Sequence, residues 1–387
     1  MSIKETDRRY VAGTYARFPV EIVAGKGSLV YDETGKEYID LTSGIGVTSF
    51  GVSDDVWVKA VTDQIGKVQH MSNLYYTEPC AYLAEALCSR TGMKKVFFSN
   101  SGAEANECAI KVARKYQAEH KGADCFEIVT LKNSFHGRTL TTLAATGQEH
   151  YHELFRPLTP GFSHAEAGNM EELKAICHEK NVAAVMIEII QGEGGVVPLD
   201  AGYLADLQAF VREKDLLLVV DEVQTGNGRT GALYAYMNYG LEPDIVSTAK
   251  GLAGGLPLGA TLLSEKVQHT LGFGDHGSTF GGNPVSCAAA LSIVNRIDEK
   301  LLAEVRQKSD YLFRTFLGAP GVADVTGLGL MIGIKPKEKT AGEVVKACIA
   351  KGVLCLTAKD KVRLLPALNI PTDVLKKGAA VILEELA

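Results

Sequence analysis

Lys250 follows a short apolar run, Ile245-Val246-Ser247-Thr248-Ala249, and precedes Gly251. Upstream, Asp221 closes a second apolar run, Leu216-Leu217-Leu218-Val219-Val220. A lysine at a strand end usually snorkels to solvent, because lysine is seldom buried without a partner. Held out of water, its amine binds a proton less tightly and becomes a nucleophile toward carbonyl carbon. An acid kept nearby in apolar surroundings completes the arrangement that pyridoxal 5'-phosphate chemistry needs. The lysine forms the Schiff base, and the acid keeps the pyridine nitrogen protonated so that the ring withdraws electrons.

Such a cofactor also needs a phosphate seat. Ser99-Asn100-Ser101-Gly102-Ala103-Glu104 follows one strand-like run and opens a helical pattern. Ser101 and Glu104 have the spacing of a capping box, and Gly102 lets a ligand approach the backbone. Free N–H groups at a helix start attract phosphate. A capped helix with no ligand would read the same way. Gly277-Ser278-Thr279-Phe280-Gly281-Gly282-Asn283 is a second loop rich in hydroxyls and glycine. Gly226-Asn227-Gly228-Arg229-Thr230-Gly231 matches the dinucleotide glycine pattern. No helix pattern follows it, and no acid closes the next strand, so it does not read as a nicotinamide site.

Six strand-like runs must position these residues: Lys95–Ser99, Glu127–Leu131, Ala183–Ile189, Leu216–Asp221, Ile245–Ala249 and Leu258–Leu263. Most are β-branched and lack polar alternation, as strands buried on both faces do. Helical patterns at Glu104–His120, Met170–Lys180 and Ala201–Lys214 lie between them. The alternation predicts an α/β fold, with a mostly parallel sheet covered by helices and functional loops at the strand carboxyl ends. After Pro284 a long helical pattern runs toward Leu317. Strand candidates follow at Val322–Thr326 and Leu328–Ile334, then a helix near Ala341–Lys351. Val353–Leu356 and Val362–Leu365 read as a strand pair, and Thr372–Leu386 as a last helix. We expect residues 46–284 to form a large cofactor-binding unit and 285–387 a smaller α+β unit, which the hairpin-like residues 1–45 join.

The 387 residues suffice for a sizeable core, and 46% apolar with 22% charged composition is that of a globular protein. A net charge of −6 without basic runs argues against nucleic acid as a partner. No apolar stretch approaches a membrane span, and Met1 to Arg9 lack a signal-peptide core. Eight scattered cysteines suit a reducing cytoplasm, and nine histidines without ligand spacing predict no metal.

The motifs together resemble the class III (omega) aminotransferases, pyridoxal phosphate enzymes of fold type I. The resemblance runs from about Tyr15 to the C-terminus. It rests on Ser101-Gly102-Ala103-Glu104-Ala105-Asn106, Ser134-Phe135-His136-Gly137-Arg138-Thr139, Gln191-Gly192-Glu193-Gly194-Gly195, Asp221-Glu222-Val223-Gln224-Thr225-Gly226, Lys250-Gly251 and the Gly277–Asn283 loop, in that order. It implies that Lys250 holds the cofactor and moves the proton, and that Asp221 pairs with its ring nitrogen. It implies Gln224 on the phenolic oxygen, Phe135 on the ring face, and Ser101, Gly102 and Ala103 at the phosphate. Thr279 resembles a residue that reaches the phosphate from the neighbouring subunit, which implies a homodimer with shared active sites.

The resemblance also implies small-molecule substrates. An omega-amine donor such as N2-acetylornithine would give its amino group to 2-oxoglutarate, forming N-acetylglutamate 5-semialdehyde and glutamate, a step of arginine biosynthesis. Glutamate has two carboxylates, and Arg138 and Arg363 match the family's two arginines. Glu193 matches an acid that pairs with Arg363 for the amine donor and swings away for glutamate. Tyr15 and Ser278 match positions that help hold a substrate carboxylate. Ile45 stands where ornithine aminotransferases tend to have tyrosine, which favours a donor whose distal amine is acylated or missing. Succinylornithine, ornithine, 4-aminobutyrate and acyl-lysine remain alternative donors, and an aminomutase an alternative class. Two departures stand out. Gly51-Val52-Ser53-Asp54-Asp55 replaces a Gly-His-x-His-Pro pattern, which puts the local helix start in doubt, and Ile189 replaces a proline before the Gln191–Gly195 loop.

Overall fold

The computed structural model describes residues 2–387. Its central sheet has seven strands in the order Lys95–Ser99, Gly259–Leu263, Ile245–Thr248, Leu217–Asp221, Val182–Ile187, Glu127–Leu131 and Phe162–Ala165. Only Gly259–Leu263 runs antiparallel to its neighbours, so the sheet is mostly parallel. Every residue of Val182–Ile187 and of Leu217–Asp221 is buried. That explains why these strands read as unbroken apolar runs: helices cover both faces. Gly102–Lys121, Met170–Glu179 and Ala201–Glu213 form close to where the periodicity predicts them. Parallel strands align their carboxyl ends, so the loops after residues 99, 131, 187, 221 and 248 open at one edge.

Two helices carry no clear sequence signal, Asp55–Ile65 and Glu78–Thr91. The first has no fully buried residue and the second only Leu83 and Leu87, so neither shows a broad apolar stripe. The single long helix expected beyond Pro284 is two helices, Pro284–Val294 and Glu299–Phe316. Asp298 starts the second by accepting the Leu301 N–H at 2.8 Å. Pro284–Val294 packs on Asp55–Ile65 and Glu78–Thr91.

The chain ends meet in one sheet. Ile22–Lys26, Leu29–Asp32 and Glu37–Asp40 form an antiparallel meander, and Val353–Leu354 adds to it in parallel. The expected pairing of Val353–Leu356 with Val362–Leu365 is therefore corrected. The chain changes sheets at the buried Cys355, and Leu356–Ala358 pairs with Lys361–Leu364. Val322–Leu328 and Met331–Pro336 complete that second sheet. The Gly226–Gly231 loop clasps this region to the large sheet. Buried Arg229 donates from Nη1 to the carbonyls of Leu330, at 3.1 Å, and Pro366. A Cβ on Gly226 would lie 2.7 Å from the Glu222 carbonyl oxygen, so packing alone accounts for that glycine. Among the described residues, no helix is long and apolar enough to cross a membrane, and no group of three or more His, Cys, Asp or Glu could hold a metal ion.

Candidate active site

A cavity of about 450 Å³ opens at the carboxyl edge of the large sheet. Ser101, Gly102, Ala103, Phe135, Arg138, Asp221, Gln224 and Lys250 all line it. Each comes from a loop that leaves a strand end, which is how residues distant in sequence converge.

Lys250 follows Thr248 by two residues and sits at φ +44°, a left-handed conformation that costs a lysine energy and turns the chain sharply. What exposes its side chain is the cavity. Among the described residues its amine has no hydrogen bond and no ion pair. Burial lowers its proton affinity below that of an ordinary lysine, against the pull of Glu193 and Asp221.

Asp221 is held by three donors. Asn106 Nδ2 donates to Oδ2 at 2.7 Å, His136 Nδ1 lies 2.8 Å from the same oxygen, and the Val223 N–H donates to Oδ1 at 2.9 Å. Asn106 also donates to the His136 carbonyl, at 2.8 Å. Asp221 is thus fixed at the cavity wall with little freedom to turn.

The helix Gly102–Lys121 points its N-terminus into the cavity. Ser101 accepts the Glu104 N–H at 3.2 Å. The capping box expected of this pair is only half formed, because Glu104 reaches one residue further and accepts the Asn100 N–H at 2.8 Å. As the first helical residues, Gly102 and Ala103 have N–H groups without helical acceptors. A Cβ on Gly102 would lie 2.6 Å from Val223 Cγ1, so this close approach needs glycine.

Glu188 also lines the cavity. Its Oε2 accepts the Phe135 N–H at 2.9 Å and its Oε1 the Gly192 N–H at 3.3 Å. It ties two site loops together. Burial pushes its carboxyl up to about 7.

Behind this wall lies an ion pair. Arg363, on the strand Lys361–Leu364, is buried, and its Nη1 stands 2.6 Å from Glu193 Oε1. Nη1 also donates to Gln224 Oε1 at 3.1 Å, and Gln224 Nε2 donates to Glu193 at 3.3 Å. Burial works to raise the Glu193 carboxyl, but Arg363 overrides it and holds the group below the usual carboxylate range. Arg138 differs: it is exposed at the cavity and has no ion pair or hydrogen bond among the described residues.

Ser278 adjoins the cavity through its Oγ, which accepts from Asn100 Nδ2 at 3.2 Å. Thr279 is exposed, and Tyr15 is 74% exposed beneath the Arg17 guanidinium. Neither lines the cavity of its own chain. Ile45 is likewise outside it, in a run from Ser43 to Gly46 with every φ positive. The first departure leaves the helix start intact, since Asp54 accepts the Trp57 N–H at 2.9 Å. Ile189 is fully buried, and its carbonyl accepts the Leu199 N–H at 3.0 Å.

Sequence reasoning singles out none of Asn106, His136, Glu188 and Val223 for a role. Asn106, His136 and Val223 stand inside the quoted motifs, so position beside a known site residue was the available signal. Glu188 directly follows the strand Val182–Ile187 and gives none. The set can hold a flat aromatic group carrying an anion, with an amine and a carboxylate in reach.

The sequence matches the class-III aminotransferase family over residues 10–386, and the chain belongs to that family. It is an aminotransferase of the α/β, fold type I kind. It is 49% identical over 386 residues to acetylornithine aminotransferase of Haemophilus ducreyi, covering 100% of this chain and 98% of the relative. Acetylornithine aminotransferase of Methanocaldococcus jannaschii is 44% identical, over 95% and 94% of the two chains. Among solved structures, N-acetylornithine aminotransferase from Stenotrophomonas maltophilia superposes with a TM-score of 0.85 at 34% identity, over 98% and 97%. Ornithine aminotransferase from Toxoplasma gondii, with pyridoxal phosphate at partial occupancy in its active site, gives 0.93 at 32%, over 99% and 93%.

Proposed function

We propose that this enzyme transfers the omega-amino group of N2-acetylornithine to 2-oxoglutarate, using pyridoxal 5'-phosphate, as a step of arginine biosynthesis. The products are N-acetylglutamate 5-semialdehyde and glutamate. One observation carries the reading: of two arginines at the site, one is free and the other is closed by an acid. A cavity that alternates between an amine donor and a dicarboxylate needs that asymmetry. The names of the relatives quoted above point the same way.

The residues present fit the cofactor. The walls are apolar at Phe135 and Val223, a helix N-terminus offers N–H groups for a phosphate, and a partnerless amine stands near a fixed carboxylate. When bound, pyridoxal phosphate supplies an electron-withdrawing ring that stabilises negative charge beside the transferred nitrogen. Lys250 carries the cofactor and then, with its lowered proton affinity, takes and returns the proton at the substrate carbon. Asp221 holds the proton on the ring nitrogen, and its three donors keep it aimed there. Ser101, Gly102 and Ala103 bind the phosphate. Phe135 covers the ring and excludes water. Gln224 gives one N–H to Glu193 and keeps the other for the phenolic oxygen.

The amine donor presents no carboxylate beside its reacting carbon. Glu193 then neutralises Arg363, since a buried unpaired guanidinium is costly. Glutamate and 2-oxoglutarate bring that carboxylate, so Glu193 leaves and Arg363 takes it, while Arg138 receives the other. Gly192 and Gly194 let the Glu193 segment pack against the Gln224 side chain and the Asn133 carbonyl, where a Cβ would clash. Tyr15 and Ser278 steady a substrate carboxylate.

The partner in this reading is a second copy of the chain. Leu74, Tyr75, Tyr76, Phe273 and Phe280 are exposed large apolar residues. Asn73 Nδ2 donates to the carbonyls of Ser278 and Gly281 at 3.0 and 2.9 Å, which joins the Leu74–Tyr76 segment to the Thr279 loop. A patch of this kind marks an interface. Thr279 reaches the partner's phosphate across it. We also take residues 46–284 as the large unit, with 1–45 and 285–387 as the smaller one. Eight unpaired cysteines agree with a cytoplasmic location.

The test is an absorbance titration of the cofactor-loaded enzyme with single donors and no keto acid. We expect N2-acetylornithine to convert the lysine-bound cofactor rapidly to its amino form, and N2-succinylornithine, ornithine and 4-aminobutyrate to do so slowly. A faster response to another donor overturns the donor assignment. No response to any donor overturns the reaction.

A further inference from the structure

The two arginines of the site are held by different chemistry. Arg363 is gripped by a carboxylate and an amide. Among the described residues Arg138 is gripped only by rings: its guanidinium carbon lies 4.1 Å from the centroid of Tyr151 and 5.5 Å from that of Phe135. The two rings meet edge to face, with centroids 6.0 Å apart and planes at 71°. Tyr151 thus touches both the free guanidinium and the aromatic wall of the cavity.

Its own position is well fixed. Tyr151 ends a short 3-10 turn, Glu149–Tyr151, and its N–H donates to the Gln148 carbonyl at 3.1 Å. Gln148 Nε2 donates to the Ser134 carbonyl at 3.0 Å, which fastens the turn to the loop carrying Phe135. On the other side, buried His152 places Nε2 2.9 Å from the Leu143 carbonyl and 2.7 Å from that of Thr146.

We propose that Tyr151 is a positioning residue for substrate recognition, whose ring face seats Arg138 for a substrate carboxylate while its edge backs Phe135. The inference rests on the reading of Arg138 as a carboxylate-binding residue. The physical reason is charge. An acid placed against Arg138 would orient it but would also compete with the substrate carboxylate. An aromatic face attracts the guanidinium through its quadrupole and leaves the full positive charge for the ligand. It also holds the planar fork in one orientation, which bidentate recognition requires. An unseated arginine at an exposed site would lose rotamer freedom on each binding event, and affinity would fall accordingly.

The experiment is a double-mutant cycle read by calorimetry. Glutarate, a five-carbon dicarboxylate that cannot react, is titrated into the cofactor-loaded enzyme. The proteins are the parent, Tyr151→Phe, Tyr151→Leu, Arg138→Ala and the Leu/Ala double variant. Tyr151→Phe keeps the ring and should bind glutarate as the parent does. Tyr151→Leu should weaken the Kd by roughly 3- to 30-fold. In the Arg138→Ala background the same change should do almost nothing, because the pair acts as one unit. If Tyr151→Leu does not retain cofactor, Tyr151→Met replaces it in the cycle. An unchanged Kd in Arg138→Ala overturns the reading of Arg138. A weakened Kd in Arg138→Ala, with none in Tyr151→Leu or an equal loss in both backgrounds, overturns the seat and leaves Arg138 standing.

Discussion

Two adjacent strand ends, those of Val182–Ile187 and Leu217–Asp221, put Glu188, Asp221 and Glu222 close together, and the protein treats the three carboxyl groups differently. Asp221 receives side-chain and backbone donors. Glu222 is wholly buried, accepts Thr225 Oγ1 at 2.6 Å and the Tyr236 N–H at 2.8 Å, and is pushed up to about 7 by burial. An acid raised in this way holds its proton more tightly folded than unfolded. From the usual glutamate range of about 4.3 up to 7, the folded chain keeps a proton that the unfolded chain has lost. Glu222 therefore costs stability as pH rises through that window. Glu222→Gln removes the titration yet keeps an acceptor for Tyr236 and an N–H for Thr225. Its stability relative to the parent, followed by thermal unfolding, should start near zero at about pH 4 and climb toward about pH 8, to a gain on the order of 3 kcal/mol. A pH-independent offset would show that Glu222 does not titrate in this range. At this scale the sequence was legible where chemistry is written into residue type, as at Lys250 and Asp221. It was silent on Glu188 and Tyr151, because a glutamate in an apolar run and a tyrosine in a polar turn acquire their roles only through contacts with distant loops.

The helix Asp55–Ile65 depends on its first turn more than most, since it buries little. Asp54 accepts the Trp57 N–H and also stands 2.7 Å from Arg296 Nη2, which follows the helix Pro284–Val294. One side chain thus starts one helix and ties it to the end of another. Asp54→Ala should cost about 1–2 kcal/mol, and Asp54→Asn should recover most of that by restoring the cap without the ion pair. Thermal unfolding of the two variants decides it: equal losses would mean that the ion pair, not the cap, carries the effect. The same helix shows why element-scale reading was uneven. Val182–Ile187 and Leu217–Asp221 were plain in the sequence because burial on both faces leaves no polar interruption. Asp55–Ile65 was hidden because a helix lying flat on its neighbours needs only a narrow apolar edge. The break between Val294 and Glu299 was hidden because Asp298, a good cap, follows a run whose periodicity hardly falters. The switch of sheets at Cys355 depends on which strands lie nearby, and no local pattern encodes it.

On the scale of the whole molecule, the proposed pairing of two copies would cover Leu74, Tyr76 and Phe273, which stand exposed, and would bring Thr279, which does not line the cavity of its own chain, to the partner's site. If two copies complete each other's phosphate site, Lys250 and Thr279 of one working site must come from different subunits. That distinction is testable without a structure of the assembly. Lys250→Ala removes the amine, and Thr279→Asp sets a negative charge against the phosphate, so each variant alone should be inactive. A mixed dimer then has one site with both defects and one with neither. After subunit exchange, random pairing makes half of the dimers mixed, and about a quarter of all sites regain function. Mixing the two inactive proteins should therefore restore about a quarter of parental activity, and sedimentation should find dimers before and after. No recovery on mixing, with exchange shown by differently tagged subunits, would mean that each chain builds its site alone, and Thr279 would be a loop residue of its own subunit.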